Sequence, residues 1–206
     1  GRCLQVHVDT LYQMLDEASD DDPAEEWEAQ AKALSEQHWQ RHALYPNAQV
    51  RSLALNAWIN ACERMDGQEA LDAYEQALQK LGDDEAPELQ AALARAWINK
   101  LNTEAQVRGA AETLPGIAAM EQRFASSEDA TALVLLARAQ RLKARLHHRL
   151  GDLPAALAAL QALTERPEPE DMSEGLQATW HRQIAEAMSL EAEIWAKQSP
   201  PAHETP

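Results

Sequence analysis

Apolar residues along this chain recur every three to four positions, the spacing that places them on one face of an α-helix. Two of the clearest stripes lie at Ala70, Leu71, Tyr74, Ala77, Leu78 and Leu81, and at Leu153, Ala156, Leu157, Leu160 and Leu163. The strong helix formers Ala, Leu, Glu, Gln and Arg dominate, whereas there is one Phe and little Val or Ile. The pattern therefore predicts an all-α protein in which both stripes are buried.

Capping residues, glycines and prolines predict where the helices begin and end. Asp22, Pro23 and Glu25 predict the start of a helix that runs to about residue 43, because they supply a capping oxygen, a preset φ and an acid in the first turn. Further breaks are predicted at Asp66-Gly67, Gly82-Asp83-Asp84, Ser126-Ser127, Gly151-Asp152 and Pro167-Glu168-Pro169. The spacing predicts about eight helices and a disordered tail over 199–206.

Two short segments recur along the chain, which indicates an internal repeat. Residues 57–60, Ala-Trp-Ile-Asn, recur at 96–99, a shift of 39 residues. Residues 93–96, Leu-Ala-Arg-Ala, recur at 136–139, a shift of 43 residues. Each copy begins a helix that a second amphipathic helix follows, so we predict three helix–turn–helix units, at 50–82, 88–126 and 130–166.

The second halves of the first and third units resemble the tetratricopeptide repeat family. The resemblance is carried by residues 68–78, Gln-Glu-Ala-Leu-Asp-Ala-Tyr-Glu-Gln-Ala-Leu, and by Gly-Asp-Leu-Pro-Ala-Ala at 151–156, followed by Leu160, Leu163 and Pro167. The period here exceeds the family's period of about 34 residues. Pro115-Gly116 is also predicted to interrupt the second helix of the middle unit. An irregular helical repeat of the HEAT type is the alternative.

Either family implies a protein-interaction module. The resemblance implies antiparallel helix pairs stacked as a right-handed α-solenoid, with a concave groove that binds a protein or peptide segment. Residues 1–45 and 171–198 would then be flanking and capping helices that cover the apolar ends of the stack. We therefore predict a single α-helical repeat domain over residues 1–198.

Polar residues on the first helices of the three units are the candidate binding residues. The two shifts align Asn56 with Arg95 and then with Arg138. Asn56 and Asn60 lie about 160° to 200° around the helix from Trp58. If Trp58 and Trp97 pack inward, these polar columns face away from the core and line the groove. The predicted binding set is Asn56, Asn60, Arg95, Asn99, Arg138, Arg141, Arg145 and Arg149.

Charge adds a second function, because it is unevenly distributed along the chain. The formal net charge is −16, yet residues 131–150 hold five basic residues and no acid, while residues 1–30 hold nine acids and one basic residue. The arginines from Arg138 to Arg149 fall within about 80° of the helix circumference. This stripe suits a regulator that binds nucleic acid or a phosphorylated or acidic ligand, although the net charge disfavours nucleic acid.

A structural interpretation of the same arginines stays open. They would pair with acids of the chain itself, with their aliphatic stems packed over neighbouring helices. The acids named for this role are Glu121, Glu128 and Asp129.

The sequence predicts no enzyme, no cofactor and no metal site. It has no glycine-rich phosphate loop and no nucleophile elbow, and Cys3 and Cys62 match neither a disulfide framework nor a zinc site. His38 and His42 have the i, i+4 spacing of paired metal ligands, but no carboxylate lies on that face, so we expect both on the surface.

Partners and compartment are only weakly constrained. Trp180 and Trp195 lie about 60° apart on the last helix and allow a homodimer through that helix. No run of eighteen apolar residues and no secretory signal occurs, so no membrane span is expected. The compartment stays open, with the cytoplasm slightly favoured over a bacterial periplasm. The chain begins with Gly, which indicates a processed or excised chain.

Overall fold

The computed structural model describes residues 2–17 and 23–198, which form nine α-helices and no strand. In chain order the helices are α1 Arg2–Asp16, α2 Ala24–His42, α3 Ala48–Cys62, α4 Gly67–Leu81, α5 Pro87–Val107, α6 Ala110–Phe124, α7 Ala130–Arg149, α8 Leu153–Thr164 and α9 Glu174–Gln198. The described part of the chain is therefore all-α, as its apolar periodicity predicts. The predicted tail and the predicted capping residue Asp22 lie outside the described residues.

Asparagine and aspartate side chains cap the starts of four helices among the described residues. The side chains of Asn47, Asp66, Asp129 and Asp152 accept hydrogen bonds from backbone N–H groups three residues further on, at 3.1, 3.0, 2.7 and 3.2 Å. Each cap satisfies one of the backbone donors that a helix start leaves unpaired. The starts of α4, α7 and α8 accordingly follow the predicted breaks at 66–67, 126–127 and 151–152.

The middle predicted unit breaks at Gly109 and not at Pro115-Gly116. Gly109 has φ of 95° and ψ of 177°, a conformation that favours glycine, and it separates α5 from α6. Pro115 lies inside α6, where it removes one backbone hydrogen bond. The helix continues because its next turns bury Ile117, Met120 and Phe124 completely. The expected interruption at Pro115-Gly116 is therefore wrong.

The chain divides into two compact units, and the first extends to Val107. Each of its helices packs against the next one in the chain, and α3 also packs against both α1 and α5. The largest fully buried side chains of this unit are Leu55, Ile59, Leu71, Tyr74, Leu89, Leu93, Ile98 and Leu101. Trp58 lies against its partner helix, because its indole Nε1 donates to the Ala73 carbonyl of α4 at 3.5 Å and its ring stacks on Trp39.

The second compact unit begins at Arg108, so the boundary lies inside the predicted unit 88–126. In this unit α6 packs against α7, and α7, α8 and α9 pack against one another. Trp180, Ala187 and Ile194 of α9 are buried in a core that α7 and α8 complete. Helix α9 is therefore packed along its length against α7 and α8.

Among the described residues, we find no helix that combines the length and the apolar character needed to cross a membrane.

Candidate functional site

Polar side chains of α3 and α5 form a network in the first unit. Arg95 Nη2 donates to Asn60 Oδ1 at 2.8 Å and to Glu63 Oε1 at 2.9 Å, and Asn99 Nδ2 donates to Glu63 Oε1 at 2.6 Å. Packing of α3 on α5 thus brings together three of the predicted residues, Asn60, Arg95 and Asn99. Asn56 stands apart, because its amide donates to the Ser52 carbonyl of its own helix at 3.1 Å.

This network reaches into the core of the first unit. Asn99 also hydrogen-bonds the buried hydroxyl of Tyr74, whose pKa is raised, mainly by burial. Arg95 and Glu63 keep about a third or more of their side chains exposed and form an ion pair at 2.9 Å. The hydrogen-bonding groups of these residues therefore largely satisfy one another, and the network links α3 to α5.

The arginine stripe of α7 in the second unit is paired differently. We use this name for Arg138, Arg141, Arg145 and Arg149. Arg141 is half-buried, and its Nη1 forms an ion pair with Glu186 Oε2 on α9. Arg138, Arg145 and Arg149 are exposed and form no ion pair within residues 2–17 and 23–198. Three of the four guanidinium groups are consequently open to a ligand.

The acids expected to neutralise this stripe have other partners. Glu121 binds Lys143 at 2.8 Å, and Asp129 accepts the Ala132 N–H as the cap of α7. Glu128 is exposed and pairs with no arginine of the stripe in the described part of the chain. Within the described residues, Arg141 alone among the four arginines is paired with an acid, and that acid, Glu186, comes from α9.

A cleft of about 310 Å³ lies between α7 and α9, and we call it the basic cleft. It is lined by Val134, Leu135, Arg138, Arg141, Thr179, Arg182, Gln183 and Glu186. Three guanidinium groups and one carboxylate give its walls a formal charge of 3 − 1 = +2. Arg182 is a candidate site residue that the sequence does not indicate, because the sequence predicts only capping and a possible homodimer contact for the last helix.

The arginines around this cleft are close enough to repel one another. The pKa of Arg141 is lowered by burial and, to a smaller extent, by three neighbouring positive charges, those of Arg145, Arg138 and Arg182. The Glu186 carboxylate offsets this repulsion only in part, since it is one acid among four guanidinium groups. A bound anion would relieve the remainder.

A second cleft of about 300 Å³ adjoins the basic cleft and shares Arg141 and Glu186 with it. Its other lining residues are Arg145, Ser189, Leu190 and Glu193. Two arginines and two glutamates balance its formal charge. The excess positive charge between α7 and α9 is therefore concentrated in the basic cleft.

His38 is buried, and the expectation that both histidines lie on the surface is wrong at this position. Its side chain is 0% exposed, and its ring lies 5.0 Å from the ring of His42. Burial, and to a smaller extent the charge of His42, lowers the pKa of His38 to about 4. No group of three or more His, Cys, Asp or Glu able to hold a metal occurs among the described residues.

Neither Cys62 nor the pair of tryptophans on α9 forms a functional site within the described part of the chain. Cys62 is a free, buried thiol, and burial is the main cause that raises its pKa to about 12, so it is poorly suited to act as a nucleophile. Trp180 is 3% exposed and belongs to the core of the second unit, whereas Trp195 is 53% exposed. A surface formed by both tryptophans is therefore absent from α9.

No family model, curated protein or solved structure matches this chain. The described part of the chain is all-α.

Proposed function

We propose that this chain is a non-catalytic protein-interaction module, built from a helical repeat similar to the tetratricopeptide repeat, that binds an acidic segment of a partner protein. The observation that carries the proposal is the row of exposed arginines on α7, Arg138, Arg145 and Arg149, which have no ion-pair partner within the described residues. Arginine is enriched among the residues that dominate binding energy at protein interfaces.

The neighbour pattern of the helices supports a repeat of helix pairs. In the first unit α3 packs against α1 and α5, and α2 packs against both α1 and α3. First helices that contact one another in this way are expected of stacked helix pairs. The network of Asn60, Arg95 and Asn99 joins the first helices of two predicted units. We propose that the helix pairs continue in this way to form a right-handed solenoid with a binding groove.

The surroundings of the stripe favour a short protein segment as the ligand. Leu135 and Leu142 are half-buried next to the arginines, so the surface combines apolar and cationic contacts. The helix is basic within a chain of net charge −16. A long polyanion would meet the repulsion of that charge, whereas a short acidic segment needs to contact only α7 and its neighbours.

Selection of random 12-residue peptides on the immobilised chain tests this function. We expect the enriched peptides to be acidic. Arg145→Glu should then weaken their binding about tenfold, or 1.4 kcal/mol, because an attractive charge becomes a repulsive one. Arg41→Glu on α2 is the matched control, since Arg41 is also exposed but lies in the other unit.

Two results would contradict the proposal. One is enrichment of neutral or basic peptides, or of none. The other is equal loss of binding in both variants while circular dichroism shows that both remain helical.

The same stripe favours a second candidate, a regulator that binds nucleic acid or a phosphorylated ligand. It is supported by four guanidinium groups on one side of a single helix, since arginine forks match phosphate geometry. Titration with a single-stranded oligonucleotide at several salt concentrations would distinguish nucleic-acid binding from peptide binding. The affinity of a nucleic-acid site falls steeply as the salt concentration rises.

A further inference from the structure

We infer that the basic cleft between α7 and α9 binds the phosphate monoester of a phosphorylated protein segment, and that Glu186 occupies the cleft as an internal competitor. The inference rests on the proposed function, because it specifies the chemistry of the segment that the module binds. It differs in its residues, since the cleft depends on Arg182, Gln183 and Glu186 of α9 as well as on α7.

Charge balance selects phosphate over carboxylate. The guanidinium groups of Arg138, Arg141 and Arg182 leave an excess of +2 after Glu186 is counted. A phosphate monoester carries a charge of about −1.5 to −2 at neutral pH and offers three acceptor oxygens. A single carboxylate would neutralise only half of the excess. Arginine also binds phosphate oxygens in a fork geometry that lysine cannot offer.

Two unpaired polar atoms of the lining residues indicate what else the ligand carries. Arg141 Nε is a buried donor without an acceptor, and Gln183 Oε1 is a buried acceptor without a donor, both within the described part of the chain. Gln183 is only 4% exposed. A buried polar atom that stays unpaired costs free energy, so a ligand that pairs it gains affinity. A phosphorylated residue supplies acceptors on its phosphate and a donor in its backbone N–H.

The size of the cleft fits one phosphorylated residue. Its volume of about 310 Å³ is at the lower end of the range for small-molecule sites. Thr179 and the half-buried Leu135 contribute apolar and hydroxyl surface beside the arginines. A side chain with its phosphate and the adjoining peptide group suits these dimensions better than a chain of nucleotides.

Glu186 holds part of the site in the absence of ligand. Its carboxylate pairs with Arg141, and the same guanidinium group faces both clefts. A phosphate that reaches Arg141 must therefore displace or share this carboxylate. Removing the charge of Glu186 removes one negative charge from the cleft, so it should strengthen phosphate binding.

The test uses N-acetyl-phosphoserine amide as the probe and the full chain as the receptor. Titration is followed by the side-chain Nε–H resonances of the arginines in NMR spectra. We expect saturable shifts of Arg141 and Arg182, about threefold tighter binding in Glu186→Gln, and about tenfold weaker binding in Arg182→Gln, as loss of one charge-assisted pair implies. Arg41→Gln is the matched control and should bind like the unmodified chain.

Matched probes define the outcomes that overturn the inference. Equal binding of N-acetyl-glutamate amide would show a carboxylate site, and equal shifts with chloride at the same ionic strength would show only screening. Tighter binding of a single-stranded oligonucleotide than of the phosphoserine probe would assign the cleft to nucleic acid. If Glu186→Gln binds the phosphoserine probe as weakly as the unmodified chain, or more weakly, Glu186 is not an internal competitor.

The two proposals fail separately. If acidic peptides bind through Arg145 but neither the unmodified chain nor Glu186→Gln responds to phosphoserine, the phosphate inference is wrong and the interaction module stands. If phosphoserine binds the basic cleft and no acidic peptide is selected, the cleft holds a phosphorylated group and the proposed binding of unmodified acidic segments is wrong.

Discussion

His38 shows at the scale of a residue how packing changes the chemistry of a side chain. Helix α2 buries Ala31, Ser35, His38 and Trp39 along one face, where α1 and α3 pack. The hydroxyls of Tyr12 and Ser35 lie within 3.4 Å of each other on that face, whereas neither ring nitrogen of His38 has a hydrogen-bond partner within the described residues. The imidazole therefore folds in its neutral form.

The pKa of His38 predicts a loss of stability in mild acid. The folded-state value of about 4 lies below the ordinary value of 6.5, so the unfolded chain takes up the proton first as the pH falls. The free energy of unfolding should decrease between about pH 6.5 and pH 4, by up to about 3 kcal/mol from this group. Urea denaturation at pH 7 and pH 4.5 measures the difference.

Two histidine variants separate this contribution from that of the carboxylates. His38→Leu removes the ionisation and should show a smaller loss of stability between the two pH values. His7→Gln, at an exposed position of α1, should keep the full loss. Equal pH dependence in His38→Leu and the unmodified chain would contradict the assignment.

The sequence could not show that His38 is buried. The i, i+4 spacing of His38 and His42 is visible in the residues, but two of the four buried positions of α2 are polar. An apolar pattern does not mark such a face, which exists only because helices on either side of α2 in the chain cover it.

At the scale of the helices, local chemistry predicted most boundaries and misjudged one. Asp66, Asp129 and Asp152 cap α4, α7 and α8 at the predicted breaks, because a capping bond involves residues only three positions apart. The sequence predicts an interruption at Pro115-Gly116 in the middle unit. Burial of the apolar face of α6 outweighed its lost hydrogen bond, and Gly109 ends α5 instead.

Replacing Gly109 tests the boundary between α5 and α6. Gly109→Ala should lower the free energy of unfolding by about 1 to 3 kcal/mol through backbone strain, since its φ and ψ favour glycine. Steric overlap does not contribute, because a Cβ at this position would meet no atom within 4 Å. Urea denaturation followed by circular dichroism measures the change.

Gly175 offers the matched control for this substitution. It lies in α9, and a Cβ there also meets nothing within 4 Å, but its φ is not positive. Gly175→Ala should be neutral or stabilise by up to about 1 kcal/mol. Equal stability of Gly109→Ala and the unmodified chain would mean that position 109 does not require a positive φ.

Helix α9 explains why the predicted site was incomplete. The sequence alone predicts the arginines of α7 as binding residues, because they repeat at helical spacing within one segment. Arg182, Gln183 and Glu186 joined them only through the packing of α7 on α9, some forty residues further along the chain. Apolar and polar periodicity shows which residues share one face of a single helix. It does not show how two helices are aligned against each other, and that alignment decides which residues line a cleft between them.

At the scale of the whole molecule, the net charge of −16 hides a strong local difference. Residues 1–30 contribute 1 − 9 = −8, while residues 131–150 contribute +5. The surface around the exposed members of the arginine stripe is therefore positively charged, although the chain as a whole is negative. A ligand that contacts only the stripe experiences attraction, and a ligand that extends beyond it meets the acidic remainder of the chain.

This distribution predicts a modest salt dependence for peptide binding. Contacts to four arginines limit the slope of log affinity against log salt concentration to about −4, by analogy with about −0.9 for each phosphate contact on DNA. The acidic remainder reduces the slope further, because salt also screens its repulsion of the peptide. Fluorescence polarisation of a selected acidic peptide between 50 and 300 mM NaCl would measure it. A slope steeper than about −6 would require about seven cationic contacts. The arginines of α7 and α9 number five, so such a slope would favour an extended polyanion as the ligand.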